Sequence, residues 1–270
     1  MLRPRRLRCP SPLRPRLARR LPLVGLLWLG LAGVAAADPP PPAVASGAAA
    51  QRQVSAPAPA AQVPAVLTLY LIRHGAYDES DPRDEAVGKG LTDAGREQAR
   101  RVGERLAGLG IKFDALWTSP LTRARETAEV VARALDGPPP RIAPELAECR
   151  PPARGDDPGL AAGAADSCRA RFEAAFTRFF NPATGRDRQE IVVGHGNSIR
   201  WLWCRALGVD PAAWIAMTIA NCSLTVVRVL PDGACKLYAF DDTGHLPLEL
   251  QSYAGVAPPW RPSAKEKPAR

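Results

Sequence analysis

Two short apolar runs in this chain each end at a histidine that a glycine follows. Residues 67–72 precede Arg73-His74-Gly75, and residues 191–194 precede His195-Gly196-Asn197. Each run has the length and composition of a buried strand. The carboxyl ends of neighbouring strands converge on one crevice when helices cover both faces of a sheet. We therefore expect His74 and His195, 121 positions apart, to meet in one site.

Helix signals alternate with these strands in the first half of the folded region. Thr92 can cap a helix whose apolar positions repeat at helical spacing and which Gly108 and Gly110 end. Residues 113–118 predict a strand. Ser119 followed by Pro120 predicts the N-cap and first position of a second helix, which runs to about residue 135.

The second half predicts a long loop over residues 137–166 and then four more regular segments. These are a helix over about 167–180, the strand 189–194, a helix over 197–207 capped by Asn197, and a short helix over 211–217. The strands 223–229 and 236–240 follow, joined by a turn at 231–233. The order predicts an α/β fold, a three-layer α/β/α sandwich around a mixed, mostly parallel sheet.

Composition divides the chain into four parts. Residues 1–37 hold eight arginines, no acidic residue and an apolar stretch over 21–37, which predicts a secretory signal peptide or an uncleaved N-terminal anchor, with a transit segment as a further alternative. Residues 38–64 are rich in Pro and Ala and predict a disordered linker. Residues 65–255 suffice for one domain, and residues 256–270 predict a flexible tail. The expected location is therefore the bacterial periplasm, with membrane anchoring only if the N-terminal segment stays uncleaved.

Charge and cysteine content narrow the partners. The net charge of +9 falls to +1 once the eight N-terminal arginines are removed, so nucleic-acid binding loses its support. The five cysteines after residue 37 match no zinc spacing, and we expect no metal site. An exported chain permits disulfides, and a bond between Cys149 and Cys168 would staple the long loop. The sequence leaves the oligomeric state open.

Three ordered motifs resemble those of the histidine phosphatase superfamily, the phosphoglycerate mutase-like enzymes. They are the Arg73-His74-Gly75 triplet, the helix start over residues 119–127 (SPLTRARET), and Gly194-His195-Gly196 after the later strand. The runs at 92–99, 195–207 and 242–247 look like the mitochondrial serine/threonine protein phosphatase branch and its bacterial relatives. The resemblance implies a phosphoglycerate mutase-like fold and a phosphohistidine intermediate.

The residue types fit phosphate transfer without a metal or cofactor. An imidazole is largely neutral at pH 7, so His74 can serve as the nucleophile. The guanidinium groups of Arg73 and Arg123 match phosphate oxygens, and Arg123 lies in the first turn of a helix, where the dipole favours an anion. His195 is expected to be a second histidine on the phosphate, stabilising the transferring group if it is protonated.

The general acid follows from the resemblance alone. Family members carry a glutamate in the loop after the second helix, and Glu148 within Leu146-Ala147-Glu148-Cys149 aligns best, with Glu145 as the alternative. Ala147 and Cys149 stand where the family usually has arginine and glycine. A glutamate can donate a proton at neutral pH only if the pocket raises its pKa.

We therefore predict a metal-independent phosphatase that hydrolyses phosphomonoesters through a phosphohistidine on His74. Its substrate is expected to be a phosphorylated small molecule or a phosphoprotein. Two alternatives stay open: a phosphoglycerate mutase-type phosphotransferase, and a catalytically silent phosphate-binding scaffold. An export signal and the few cations in the loop between Cys149 and Cys168 weigh against the mutase, and the complete residue set weighs against the scaffold.

Overall fold

A six-stranded mixed sheet forms the centre of the computed structural model, which describes residues 63–153 and 163–253. In chain order the strands and α-helices are β1 (Pro64–Ala65), β2 (Leu67–Arg73), α1 (Asp93–Ala107), β3 (Ala115–Thr118), α2 (Thr122–Leu135), β4 (Pro140–Ile142), α3 (Ala164–Phe179), β5 (Ala183–Thr184), β6 (Arg188–Gly194), α4 (Gly196–Ala206), β7 (Leu224–Val229) and β8 (Cys235–Asp242). The sheet order is β4-β3-β6-β2-β7-β8. The first four strands are parallel to one another, β7 is antiparallel to β2, and β8 is antiparallel to β7, so the sheet is mixed and mostly parallel, as predicted.

Helices cover both faces of the sheet, which makes three layers. Leu69 and Leu71 of β2 pack in one hydrophobic core with residues of α3 and α4, whereas Tyr70 and Ile72 pack in a second core with residues of α1 and α2. All seven residues of β2 are buried. A strand buried on both faces reads as a continuous apolar run, which is why the sequence pattern located it.

The start of α1 agrees with the prediction and the start of α2 does not. Thr92 caps α1 by accepting a hydrogen bond from the Gly95 N–H, and the helix ends at Gly108. Helix α2 begins at Thr122, so the prediction that Ser119 is its N-cap is wrong. The Ser119 hydroxyl instead accepts from the Leu121 N–H and hydrogen-bonds His195, a partner that sequence spacing does not reveal.

The predicted loop over 137–166 holds more structure than expected. Residues Pro140–Ile142 add the edge strand β4 beside β3, and Pro144–Leu146 form a 3₁₀ turn. A disulfide joins Cys149 to Cys168 of α3, the bond that the sequence analysis considered for an exported chain. It ties the segment after the turn to a helix in the hydrophobic core, since Cys168 is only 2% exposed.

The predicted signal or anchor over 1–37, most of the linker over 38–64 and the tail over 256–270 lie outside the described residues. Within residues 63–153 and 163–253, no helix combines the length and apolarity that a membrane crossing requires.

Candidate active site

The strand register brings the two histidines together. Arg73 of β2 pairs with Gly194 of β6, so the residues that follow, His74 and His195, leave the sheet side by side. The His74 N–H donates to the Gly194 carbonyl over 3.0 Å, and the two imidazole ring centroids are 5.1 Å apart. The meeting expected from the strand ends therefore occurs in the fold.

The His74 ring has one nitrogen bound and one available. Its Nδ1 is 2.8 Å from the Gly75 carbonyl oxygen, which can only accept, so Nδ1 carries the proton. Burial lowers the pKa of His74 well below its ordinary value, and the neighbouring Arg73, His195 and Arg123 lower it further. The neutral imidazole therefore keeps a lone pair on Nε2.

His195 is fully buried beside His74, and its Nδ1 faces the Glu148 carboxyl group that lines the cavity. Its Nε2 is 2.7 Å from the Ser119 Oγ, and that oxygen already accepts from the Leu121 N–H. When the Ser119 hydroxyl donates to Nε2, the proton of His195 lies on Nδ1. Burial, Arg123 and Arg73 lower the pKa of His195, so it is a neutral donor here and not an imidazolium.

Arg73 precedes His74 in the chain and Arg123 lies 49 positions after it, and both guanidinium groups line the cavity beside His74. Both are 6% exposed, and the Nε of each has no hydrogen-bond partner among the described residues. Arg73 donates to the Ile219 carbonyl, and Arg123 lies 5.2 Å from the Tyr77 ring centroid. Burial lowers the pKa of Arg73 to about 10, which leaves it charged at neutral pH.

The two candidate glutamates have different surroundings. Glu148 lines the cavity, and its Oε2 is 3.9 Å from His195 Nδ1. Burial raises the pKa of Glu148 to about 7, against the Asn197 N–H and the nearby arginines, which lower it. Glu145 instead forms an ion pair with Arg178 of α3 and does not line the cavity. Of the two, only Glu148 is placed to exchange a proton with a ligand there.

Two residues of α4 belong to the site although the sequence analysis assigned them no chemistry. Asn197 is not the N-cap of α4, since His195 holds that position; its N–H donates to Glu148 Oε1 over 3.3 Å and its side chain to the Cys149 carbonyl. The three side-chain nitrogens of Arg200 donate hydrogen bonds to the Gly196 carbonyl, the Met217 carbonyl and Asn197 Oδ1. The spacing of Asn197 and Arg200, one helical turn apart, was the available signal.

The cavity has a volume of about 340 Å³, enough for a phosphate and part of the group that carries it. Its described lining holds three arginines and one carboxyl group, so it favours an anion. The remaining lining residues are His74, Tyr77, Gly196, Asn197, Thr218, Ile219 and Tyr253. A nucleophilic imidazole, buried cationic donors and a carboxyl group with a raised pKa are the parts that phosphomonoester cleavage requires.

Comparison with known proteins matches this chain to the histidine phosphatase superfamily (branch 1) over residues 69–155 and 152–242. A mitochondrial serine/threonine-protein phosphatase Pgam5 of Caenorhabditis briggsae is 37% identical over 190 residues, which are 66% of this chain and 64% of that protein. The Caenorhabditis elegans Pgam5 is 36% identical over 205 residues, 70% of this chain and 67% of its own length. The chain thus spans about two thirds of these relatives, and the resemblance read from the motifs is confirmed.

Solved structures agree on the fold. A phosphoserine phosphatase from Entamoeba histolytica, in complex with 3-phosphoglyceric acid, has a TM-score of 0.51 at 21% identity and is covered over 100% of its length by 67% of this chain. A putative α-ribazole-5'-P phosphatase from Escherichia coli has the same TM-score and identity, with 65% of this chain and 97% of that chain covered. The predicted phosphoglycerate mutase-like α/β fold is confirmed.

The prediction of export to a bacterial periplasm is wrong. The curated relatives that the chain matches are mitochondrial proteins, and nothing in them supports a secretory signal peptide. A basic, acid-free N-terminus with an apolar stretch is shared by export signals and organelle-targeting segments, so composition did not separate the two.

Proposed function

Because the chain belongs to the histidine phosphatase superfamily (branch 1), we propose that it hydrolyses phosphomonoesters through a covalent phosphohistidine on His74. The observation that carries the proposal is the bonding of the His74 ring. Nδ1 donates to the Gly75 carbonyl, so Nε2 offers its lone pair beside two buried guanidinium groups. Such a pocket binds a phosphate group with its phosphorus atom beside Nε2.

In the first half-reaction, His74 Nε2 attacks phosphorus and the bond to the leaving alkoxide breaks. The Glu148 carboxyl group, with a pKa near 7, gives its proton to the departing oxygen. Arg73 and Arg123 stabilise the charge that builds on the equatorial oxygens. We assign the Nδ1–H of His195, which has no hydrogen-bond partner among the described residues, to a further phosphate oxygen.

In the second half-reaction, the Glu148 carboxylate takes a proton from a water molecule that attacks the phosphohistidine. The P–N bond breaks, inorganic phosphate leaves, and the lone pair returns to His74 Nε2. The positive amino-terminal end of α4 holds the carboxylate through the Asn197 N–H, 3.3 Å from Oε1. The same group thus acts as acid and then as base.

We infer that the alcohol released from the substrate carries no second acidic group. Arg200 is the one cation of the described cavity lining besides Arg73 and Arg123, and each of its nitrogens is bonded within the protein. A phosphorylated serine or threonine side chain, the substrate class in the relatives' names, meets this condition better than phosphoglycerate does. Phosphatase and mutase assays on one preparation, with a phosphopeptide and with 3-phosphoglycerate, separate the two.

The central test is His74→Ala, with His245→Ala as the matched control. His245 lies outside the cavity lining and bonds the Cys222 carbonyl. We expect His74→Ala to abolish turnover of an aryl phosphate and to prevent acid-labile labelling by radioactive substrate, whereas His245→Ala retains the label. Turnover by His74→Ala at the rate of the unmodified protein would refute the proposal, and phosphate binding without labelling in the unmodified protein would favour the silent scaffold.

A further inference from the structure

We propose that Gln98, Thr127 and Asn221 are positioning residues that fix the tautomer of His74 by holding the two peptide groups on either side of Gly75. The proposal rests on the proposed function, since it explains how the nucleophilic nitrogen is presented. None of the three residues lines the cavity, and their exposed fractions are 1%, 0% and 4%. They act through the backbone of the His74 loop and do not touch a substrate.

The peptide group between His74 and Gly75 is held at both ends. The Asn221 side-chain amide donates to the His74 carbonyl over 3.0 Å. The Gly75 N–H donates to the Thr127 hydroxyl, also over 3.0 Å. Because a trans peptide is planar, with its N–H and C=O on opposite sides, these two bonds fix the orientation of the whole group.

The next peptide group, between Gly75 and Ala76, is held by Gln98. The Ala76 N–H donates to Gln98 Oε1 over 2.8 Å. The carbonyl at the other end of this planar group therefore points the opposite way, where it accepts the His74 Nδ1–H over 2.8 Å. A rotation of this peptide breaks both bonds at once, so Gln98 determines whether His74 has an acceptor for its Nδ1 proton.

Close packing against α1 restricts the backbone path of the His74 loop. A Cβ on Gly75 would lie 2.5 Å from the Gly95 carbonyl oxygen, and a Cβ on Gly95 would lie 2.0 Å from the Ala76 carbonyl oxygen. The first turn of α1 therefore contacts the backbone of the loop directly. Gln98 projects from the next turn of the same helix to reach the Ala76 N–H.

Each of the three side chains is itself anchored. Gln98 Nε2 donates to the Leu250 carbonyl and to Ser252 Oγ, and the Ser252 hydroxyl donates to Asn221 Oδ1 over 3.0 Å. The Thr127 hydroxyl donates to the Arg123 carbonyl over 2.7 Å, which joins the nucleophile's loop to the helical turn that carries a phosphate-binding arginine. The side chains are satisfied and buried, so they have one orientation available.

A neutral imidazole with its proton on Nε2 has no lone pair there and cannot attack phosphorus. Removal of the Gln98 acceptor frees the Gly75–Ala76 peptide and lets the His74 proton move to Nε2. One buried hydrogen bond is worth about 1 kcal/mol net, which corresponds to about a fivefold fall in kcat. KM is expected to stay within about twofold, because a phosphate still meets Arg73 and Arg123.

The test uses Gln98→Met and the pair Thr127→Val and Thr127→Ser, with Gln251→Met as the control. Gln251 is a second buried glutamine and lies on the carboxyl-terminal segment that anchors Gln98. Its side chain donates to the Leu246 carbonyl and not to the His74 loop. Nitrogen-15 NMR of histidine-labelled protein reports the protonated ring nitrogen directly. The chain has only three histidines, so the spectrum is readily assigned with His195 and His245 variants.

We expect a single His74 tautomer, protonated on Nδ1, in the unmodified protein, in Thr127→Ser and in Gln251→Met. Gln98→Met and Thr127→Val are expected to show exchange between tautomers together with the lower kcat. A single Nδ1–H tautomer in both variants at unchanged kcat overturns the proposal. If Gln98→Met does not fold, the threonine pair, which differs in the hydroxyl group, decides the matter. The tautomer is measured without substrate, so the proposed phosphatase activity and this proposal fail by different observations.

Discussion

Replacing Glu148 by glutamine tests the assignment of the general acid most directly. Burial raises the pKa of Glu148 from 4.5 to about 7, although the Asn197 N–H and nearby arginines lower it. The fold therefore disfavours the carboxylate by about 3 kcal/mol relative to the carboxylic acid, since a tenfold change in an acid dissociation constant corresponds to about 1.4 kcal/mol. Glutamine resembles the protonated acid in shape and charge but cannot give up a proton.

The stability of the unmodified protein should therefore depend on pH in a way that the Glu148→Gln variant lacks. A raised pKa in the folded state means that the contribution of the protonated group is fully present below pH 4.5 and is lost as pH rises through 7. Urea denaturation should show the free energy of unfolding falling by about 3 kcal/mol relative to the variant between pH 4.5 and 8. A constant difference between the two proteins would refute the raised pKa.

Activity gives the second readout. With an alkyl phosphate, whose alkoxide leaves poorly, Glu148→Gln is expected to lower kcat by about 10² to 10⁴ and to remove the decline of the unmodified protein above pH 7. With an aryl phosphate, which needs less protonation on leaving, the first step should suffer less and labelled phosphohistidine should accumulate. Glu145→Gln is the matched control, because Glu145 pairs with Arg178 outside the cavity. A decline above pH 7 that persists in Glu148→Gln would move the acid to another group.

Two further results are expected. Ser119→Ala should lower kcat by about tenfold without a matching change in KM, because it removes the hydroxyl that holds the proton of His195 on Nδ1. Steady-state kinetics, together with a thermal unfolding curve, measure this effect. An unchanged kcat would contradict it. Replacing Cys149 and Cys168 by serine should destabilise the domain by about 3 kcal/mol, since the disulfide closes a loop of 19 positions. The same change should lower kcat, because Glu148 is next to Cys149 and becomes less firmly held. Equal unfolding temperatures and equal kcat with and without the bond would refute both effects.

The architecture was largely predictable because its signals are local. Strands buried on both faces have to be apolar throughout, and the alternation of such runs with capped helices allows few topologies. Edge strands carry weaker signals. β4 is three residues long and largely exposed, so its pattern resembles a loop. Helix α2 begins two residues after the expected position, and Ser119, the expected N-cap, hydrogen-bonds His195.

The candidate site was predictable where residue type alone implies chemistry. Histidines at strand ends and arginines beside them stand out in any sequence, and Arg73, His74, Arg123 and Glu148 all line one cavity. Gln98 and Asn221 did not stand out, because an amide reveals its role only through what it contacts. Gln98 reaches the His74 loop from 22 positions away along the chain, and Asn221 from 147.

The order of apolar runs, turns and capping residues along this chain determined the three-layer sheet, because each such choice depends on neighbours a few positions away. Only the tertiary structure decided that Glu148 and not Glu145 faces the cavity, and that the proton of the His74 imidazole lies on Nδ1. Those outcomes depend on burial and on hydrogen-bond partners from distant segments. Proton positions and pKa values are set by three-dimensional surroundings that linear spacing does not specify.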